Sequence, residues 1–237
     1  MTSFVLVHGA WHGGWCWEQV VPLLEAEGHR VDAVDLPGRG TNPAPPAGMT
    51  LETNARHLAG RIGAAAGPVV LVGHSMGGIS ITQAAELVPE SVAALVYVTA
   101  FLPADGQSLV DLAANDPEAL VRRNVVPDEA TGLCTIAEDG QRDAFYGECS
   151  PEDAAAARAR LVPEALAVFA TPVAISEERA GSLRRVYVEC TNDRAITIGK
   201  QREMVANRPC ERVLSLDADH SPFLSRPEQL AAHLLSV

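Results

Sequence analysis

The sequence is short of positive charge and of long apolar runs. Its 237 residues hold 18 Lys and Arg against 30 Asp and Glu, which gives a formal net charge of −12. That acidic balance argues against nucleic acid or an anionic membrane as a partner, and it favours a protein that handles small molecules. No apolar stretch approaches the roughly 18 residues that a membrane-spanning helix needs.

The number and spacing of the cysteines argue against a set of disulfides and against a zinc site. They are odd in number, scattered and without a C-x-x-C pair. The first apolar run, residues 4–7, is too short for the core of a signal peptide and follows no basic leader. We therefore expect a cytoplasmic protein without a metal site, and the sequence is compatible with a homodimer.

Residues 73–77, Gly-His-Ser-Met-Gly, are the most informative stretch of the chain. The apolar run 69–72 before them predicts a buried strand, and residues 78–88 after them are compatible with a helix that must stop at Pro89. A G-x-S-x-G motif between a strand and a helix is typical of a nucleophile elbow, in which the serine stands exposed above the sheet. The motif predicts Ser75 as a catalytic nucleophile.

Short apolar runs alternate with helical stretches along most of the chain. Strands are predicted at residues 4–7, 31–34, 69–72, 92–98, 185–189 and 212–216. Helices are predicted at residues 17–27, 50–66, 78–88, 198–206 and 227–235, and a proline-rich loop at residues 41–48. This alternation predicts an α/β fold with a mostly parallel sheet of about six strands and helices on both faces.

Residues 103–182 break the alternation. They are rich in alanine, acidic residues and helical spacing, most clearly at 151–166, and they show no strong strand. We expect residues 1–102 and 183–237 to form the α/β core. Residues 103–182 are then expected to form a helical lid over the carboxyl-terminal edge of the sheet, where open α/β folds bind ligands.

A serine hydroxyl needs a base to take its proton, and in a fold with this elbow the histidine follows the acid in the chain. Only His220 and His233 follow the last acid candidates. His233 falls inside the last predicted helix, whereas His220 falls in a loop between a strand and a helix. We therefore predict His220 as the general base.

Two residues are candidates for the acid that supports His220. Asp193 and Asp105 each follow a predicted strand, and Asp193 follows the strand expected to lie nearer to His220. Asp217 and Asp219 are too close to His220 in sequence to support it from behind, so we expect both to be solvated loop carboxylates.

An oxyanion hole requires two backbone N–H groups. Met76 follows the nucleophile and supplies one, and Ala10, in the glycine-rich loop of residues 8–14, is positioned to supply the other. In the same loop His8 and His12 are four residues apart, but Gly9 between them makes a helical metal pair improbable. The aromatic residues expected in the pocket wall are Trp11, Phe145, Tyr146 and Phe169.

With these residues in place, the chain resembles the α/β-hydrolase superfamily, and within it the group of plant methylesterases and hydroxynitrile lyases. The resemblance covers nearly the whole chain, but the lid matches only loosely. It is carried by residues 4–15, 23–31, 73–78, 186–188 and 219–220. It implies a triad of Ser75, Asp193 and His220, favours Asp193 over Asp105, and places the oxyanion donors at Ala10 and Met76.

The sequence and the resemblance together predict a cofactor-independent serine hydrolase, a carboxylesterase or methylesterase, that cleaves a small, largely apolar ester. One alternative is a hydroxynitrile lyase. For one branch of these lyases, the resemblance implies a lysine after the histidine and a threonine in place of Gly9. The other branch lacks that lysine and has an asparagine in place of Gly9, so Gly9 argues against both branches. This chain has Ser221 and Gly9 at these positions. A second alternative is a non-catalytic ligand-binding protein, but such proteins generally lack a triad member.

Overall fold

The computed structural model describes residues 1–45 and 48–237, so Pro46 of the predicted loop lies outside the described residues. The strands are β1 (Ser3–Val7), β2 (Arg30–Val34), β3 (Val69–His74), β4 (Val92–Val98), β5 (Val125–Asp128), β6 (Leu133–Ile136), β7 (Glu164–Ala165), β8 (Arg185–Cys190) and β9 (Arg212–Leu216). The α-helices are α1 (Val21–Ala26), α2 (Leu51–Gly63), α3 (Gly77–Leu87), α4 (Leu109–Ala113), α5 (Leu120–Asn124), α6 (Glu138–Phe145), α7 (Pro151–Arg158), α8 (Leu166–Ala170), α9 (Ile198–Asn207), α10 (Pro222–Ser225) and α11 (Pro227–Leu235).

Six of the strands form one sheet in the order β2-β1-β3-β4-β8-β9, and every neighbouring pair is parallel. This confirms the predicted six-stranded α/β fold. Side chains alternate between the two faces, so that Leu71 of β3 joins one apolar cluster and Val70 joins the other. Because both faces are covered, the central strands β3 and β4 are nearly continuous apolar runs, whereas the edge strands β2 and β9 also carry polar residues.

Helices cover the sheet on both sides. Leu58 of α2 and Ile79 of α3 pack in one cluster, while Leu24 of α1 and Leu230 of α11 pack in the other. In the part of the chain that the structure describes, no helix combines the length and apolar character needed to cross a membrane.

The predicted helix at residues 17–27 is wrong in its first half. The chain forms a 3₁₀ turn at Gly14–Trp17, and α1 begins only at Val21. Pro22 explains the late start, because proline has no N–H to donate and therefore fits the first turn of a helix but not its interior.

Residues 103–182, here called the insert, are less helical than predicted. They contain α4 to α8, but β5, β6 and β7 form a small antiparallel sheet in that order. The predicted helix at 151–166 ends at Arg158, and β7 follows at Glu164–Ala165. The sequence did not predict these strands because they hold only four, four and two residues. So few residues show no periodic pattern.

Candidate active site

Ser75 sits on a strained turn between β3 and α3. Its φ is +52°, a left-handed conformation that a residue with a side chain rarely adopts. The two glycines of the motif allow this turn. A Cβ on Gly73 would come within 2.8 Å of the Gly77 carbonyl carbon, and one on Gly77 would come within 2.8 Å of the His8 carbonyl oxygen. The backbone therefore presents the Ser75 side chain to a cavity that it helps to line.

His220 and Asp193 form a buried pair at the same edge of the sheet. Asp193 follows β8 and His220 follows β9, and their Nδ1 and Oδ2 atoms are 2.7 Å apart. The two side chains are only 2% and 0% exposed. Since a carboxylate accepts and cannot donate, Nδ1 carries the proton and Nε2 is left as the basic nitrogen.

The Asp193 carboxylate is fixed by three further donors. The Ala195 and Ile196 N–H groups donate to Oδ1 at 2.6 and 3.0 Å, and the Thr99 hydroxyl donates to Oδ2. Thr99 follows β4, is fully buried and has a φ of +37°. Sequence reasoning missed Thr99. The sequence signal that could have indicated Thr99 is a hydroxyl residue at the carboxyl end of β4, the strand next to the elbow strand β3.

Asp105 does not meet His220. It lies exposed in the insert, and its Oδ1 accepts a hydrogen bond from the Ile175 N–H at 2.9 Å. Of the two candidate acids, the structure thus brings only Asp193 to His220. The rejected base candidate His233 lies in α11, with Nε2 3.2 Å from the Ser215 carbonyl oxygen.

His74 connects the elbow to the His220 loop. Its Nε2 lies 2.8 Å from the His220 carbonyl oxygen, so this nitrogen donates, and the two rings are 4.6 Å apart between centroids. Burial, assisted by the neighbouring His220, lowers the pKa of His74 well below its usual value. Because His74 directly precedes Ser75, this hydrogen bond from a neutral His74 holds the His220 loop next to the elbow.

The expectation for Asp219 is wrong, whereas Asp217 is exposed as predicted. Asp219 is 4% exposed and accepts hydrogen bonds from the Glu148 N–H at 2.9 Å and the Ser225 hydroxyl at 2.7 Å. It fastens the His220 loop to the insert. The partner Glu148 is 71 residues away in sequence, so no local pattern pointed to it.

The loop that follows β1 runs close to Ser75. A Cβ on Gly9 would come within 2.8 Å of the Ser75 Cβ and 2.9 Å of the His74 Nδ1. Any side chain at position 9 therefore requires the loop or the elbow to move. The next residue, Ala10, and Met76 both line the cavity together with Ser75.

The cavity beside Ser75 has a volume of about 430 Å³ and a mostly apolar wall formed by the core and the insert. Three of the four predicted wall aromatics are in it: Trp11, Phe145 and Phe169. The ring centroid of Trp11 is 5.8 Å from that of Phe145 and 5.7 Å from that of Phe169. Phe145 also approaches His220, at 5.6 Å between ring centroids.

The prediction for Tyr146 is wrong, because this residue does not line the cavity. Helix α6 ends at Phe145, and the two consecutive side chains diverge from that point. Tyr146 is fully buried, and its hydroxyl lies 2.7 Å from the His12 Nε2. A buried tyrosine hydroxyl needs a partner, and this one finds it behind the cavity wall.

Comparison with known proteins identifies the family. Residues 4–233 match the model described as the Alpha/beta hydrolase family. The chain belongs to this family. Methylesterase 7 of Arabidopsis thaliana is 35% identical over 257 residues, which cover 99% of this chain and 95% of that protein.

Two further relatives match the chain over its length. A pyrethroid hydrolase of Sphingobium wenxiniae is 36% identical over 244 residues, covering 98% of this chain and 85% of that protein. The crystal structure of polyneuridine aldehyde esterase aligns with a TM-score of 0.90 at 29% identity, covering 100% of this chain and 98% of that one. These matches confirm the resemblance to plant methylesterases and the expectation of an enzyme that acts on ester bonds.

Proposed function

We propose that this member of the family is a serine carboxylesterase with Ser75, His220 and Asp193 as its catalytic triad. The observation that carries the proposal is the buried contact of 2.7 Å between the His220 Nδ1 and the Asp193 Oδ2. This pair is linked to the strained elbow through His74, the residue before Ser75, whose Nε2 lies 2.8 Å from the His220 carbonyl oxygen. Asp193 holds the tautomer of His220 in which Nε2 is free to accept a proton.

In the proposed reaction the Ser75 Oγ attacks the ester carbonyl carbon while the His220 Nε2 takes the hydroxyl proton. Collapse of the tetrahedral intermediate expels the alcohol, which receives that proton from His220, and leaves an acyl-enzyme on Ser75. Water then attacks the acyl group, again through His220, and releases the carboxylic acid. Asp193 stabilises the imidazolium that forms in each half of the reaction.

The oxyanion of each tetrahedral intermediate is proposed to bind the N–H groups of Ala10 and Met76. The Met76 N–H is at the start of α3, where N–H groups have no partner within the helix. The close approach of Gly9 to Ser75 places the following Ala10 at the same cavity wall. A preorganised donor of this kind contributes about 10²- to 10³-fold in rate.

The cavity supports a small-molecule ester with a largely apolar body as the substrate. Only two charged residues belong to its lining in residues 1–45 and 48–237, namely Asp116 and Arg122. The Asp116 carboxylate already accepts two hydrogen bonds from Thr197, at 2.8 and 2.9 Å. A volume of about 430 Å³ also exceeds the space that an acetyl group fills.

We expect the rate to rise with the acyl chain of p-nitrophenyl esters. Each methylene moved from water into the apolar cavity contributes about 0.8 kcal/mol. We therefore expect kcat/KM to increase by roughly tenfold from acetate to butyrate. Phe169→Ala enlarges the cavity and should shift the preferred acyl length upward. Steady-state kinetics on the ester series, for both proteins, measure the effect.

The acetate ester is the internal control for Phe169→Ala, since its short chain needs little of the cavity. Its kcat/KM should change by less than about twofold when the preferred length shifts. Equal losses on every ester would mean that Phe169 supports the fold or the triad and not the acyl group. A wild-type preference for acetate would contradict the cavity as the acyl site.

Two positions favour the esterase over the lyase. Cyanohydrin cleavage requires a cationic group to stabilise the departing cyanide, and the residue after His220 is the uncharged, fully buried Ser221. Gly9 is the second position, because a threonine or asparagine there would collide with Ser75 in this backbone. Both positions therefore support the esterase proposal.

We expect measurable hydrolysis of p-nitrophenyl acetate or a small methyl ester, and no release of cyanide from mandelonitrile above the background without enzyme. Both reactions can be followed on the same preparation, by p-nitrophenol absorbance and by a cyanide electrode. Cyanide release as fast as ester turnover would overturn the esterase assignment.

We also propose a cytoplasmic location. All five cysteines are free, and four of them are buried. Free thiols persist in reducing compartments, whereas secreted proteins of this size tend to oxidise them to disulfides. Thiol titration should find five reduced cysteines once the protein is unfolded, whereas in the folded protein only the half-buried Cys210 should react readily.

A further inference from the structure

Two histidines of the loop after β1 have no part in the proposed triad. In His8, Nδ1 lies 2.8 Å from the Gly9 carbonyl oxygen, and Nε2 lies 3.2 Å from the Leu36 backbone nitrogen. In His12, Nδ1 lies 2.7 Å from the Ala10 carbonyl oxygen, and Nε2 lies 2.7 Å from the Tyr146 hydroxyl. Both ring nitrogens of each histidine are therefore used within the protein.

These partners fix the tautomer of His12. A carbonyl oxygen only accepts, so Nδ1 carries the proton and Nε2 is an acceptor for the Tyr146 hydroxyl. Burial lowers the pKa of His12 to about 3, although the bond to the Ala10 carbonyl opposes this shift. Burial also raises the pKa of Tyr146 well above its usual value. At neutral pH, a neutral tyrosine thus donates to a neutral histidine.

The two histidines hold consecutive peptide groups around Ala10. The Gly9 carbonyl and the Ala10 N–H belong to one peptide plane, and His8 binds that carbonyl. The Ala10 carbonyl belongs to the next plane, and His12 binds it. Fixing both planes fixes the direction of the Ala10 N–H.

The loop needs such support because Trp11 has a φ of +62°, in the left-handed region. Two bonds from the insert reach Trp11 itself. The Val162 N–H donates to the Trp11 carbonyl oxygen at 3.0 Å, and the Trp11 Nε1–H donates to the Cys134 carbonyl oxygen at 3.1 Å. The Tyr146 hydroxyl is a third link from the insert, and the one that acts through His12.

We propose that Tyr146 and His12 are positioning residues for the oxyanion hole. The Tyr146 hydroxyl holds His12 in its Nδ1–H tautomer, and this N–H holds the Ala10–Trp11 peptide. With the Gly9–Ala10 peptide held by His8, the backbone on both sides of the Ala10 Cα is then fixed, so that the Ala10 N–H points at the developing oxyanion. The insert thereby supports catalysis from behind the cavity wall as well as covering the cavity. This inference rests on the proposed function.

The test is Tyr146→Phe, which removes only the hydroxyl. The His12 Nε2 then stays buried without a partner, so the ring and the Ala10 peptide lose their fixed orientation. We expect kcat for p-nitrophenyl butyrate to fall by about 10- to 100-fold. KM should change by less than about twofold, because the oxyanion forms after binding.

Tyr97→Phe is the matched control. Tyr97 is fully buried, like Tyr146, and its hydroxyl has an equal contact of 2.7 Å, with the Thr82 Oγ1 in the core. It does not line the cavity. We expect the control to keep kcat within about twofold, while thermal melts report the stability of both variants. Equal changes in kcat in the two variants would mean that Tyr146 has a purely structural role, which would contradict the proposal.

Substitutions of His12 provide a second test. The side-chain amide of Asn can donate from nearly the place of Nδ1, whereas Leu cannot donate at all. We expect His12→Asn to retain at least about tenfold more kcat than His12→Leu. Equal activity of the two variants would contradict a role for the Nδ1–H.

Nitrogen NMR of the His12 ring reads the tautomer without any substrate. Wild type should show a protonated Nδ1 and a bare Nε2 at neutral pH, and Tyr146→Phe should change both signals. An inactive wild type would contradict the proposed function. An active wild type whose Tyr146→Phe variant keeps both kcat and the ring signals would contradict the positioning role alone.

Discussion

Ser75→Ala is expected to lower kcat/KM for p-nitrophenyl esters by at least about 10⁴-fold, because it removes the only atom proposed to form the acyl-enzyme. Binding should survive, since the apolar cavity wall is unchanged. The measurements are initial rates together with the dissociation constant of a non-hydrolysable ketone analogue. Acid quenching during turnover should trap an acyl group on the peptide that contains Ser75 in wild type and none in the variant.

Ser80→Ala is the control for this experiment. Ser80 lies in α3 close to the elbow and is fully buried, and its hydroxyl accepts a weak hydrogen bond from the Asn54 Nδ2 at 3.4 Å. A fluorophosphonate probe should label wild type and Ser80→Ala at Ser75 and leave Ser75→Ala unlabelled. Labelling at another residue, or an active Ser75→Ala, would contradict the nucleophile. A wild type that binds ligands without labelling or turnover would indicate the non-catalytic alternative.

The sequence predicted the parts of the fold that are specified locally. The Gly-rich elbow and the continuous apolar runs around it mark β3 and α3 because glycine and strand hydrophobicity act within a few residues. Thr50 likewise caps α2, with its hydroxyl accepting from the Thr53 N–H at 3.1 Å.

The sequence did not predict features that depend on distant partners. Tyr146 was expected in the cavity, but its hydroxyl bonds to His12, 134 residues away. Thr99 meets Asp193 across 94 residues. β5 and β6 pair with each other although β5 contains Pro127 and is largely exposed. In each case the side-chain direction follows from tertiary packing, which local periodicity does not contain.

Asp193→Asn should lower kcat by about 10⁴-fold, whereas Asp105→Asn should change it by less than about twofold. The hydrogen bonds of Asp193 explain the size of the first effect. The Ala195 and Ile196 N–H groups donate to Oδ1 at 2.6 and 3.0 Å, so an asparagine must keep its oxygen at that place. Its NH₂ group then faces the His220 Nδ1.

An NH₂ group can only donate to Nδ1, so the imidazole proton of His220 must move to Nε2. Nε2–H cannot accept the proton of Ser75, and the base is lost while the geometry stays intact. The Ile175 N–H donates to the Asp105 Oδ1 at 2.9 Å. In Asp105→Asn the amide oxygen can still accept this hydrogen bond. Rates and melting temperatures of both variants measure the difference. Equal losses, or a larger loss for Asp105→Asn, would place the catalytic acid after β4 and contradict the triad.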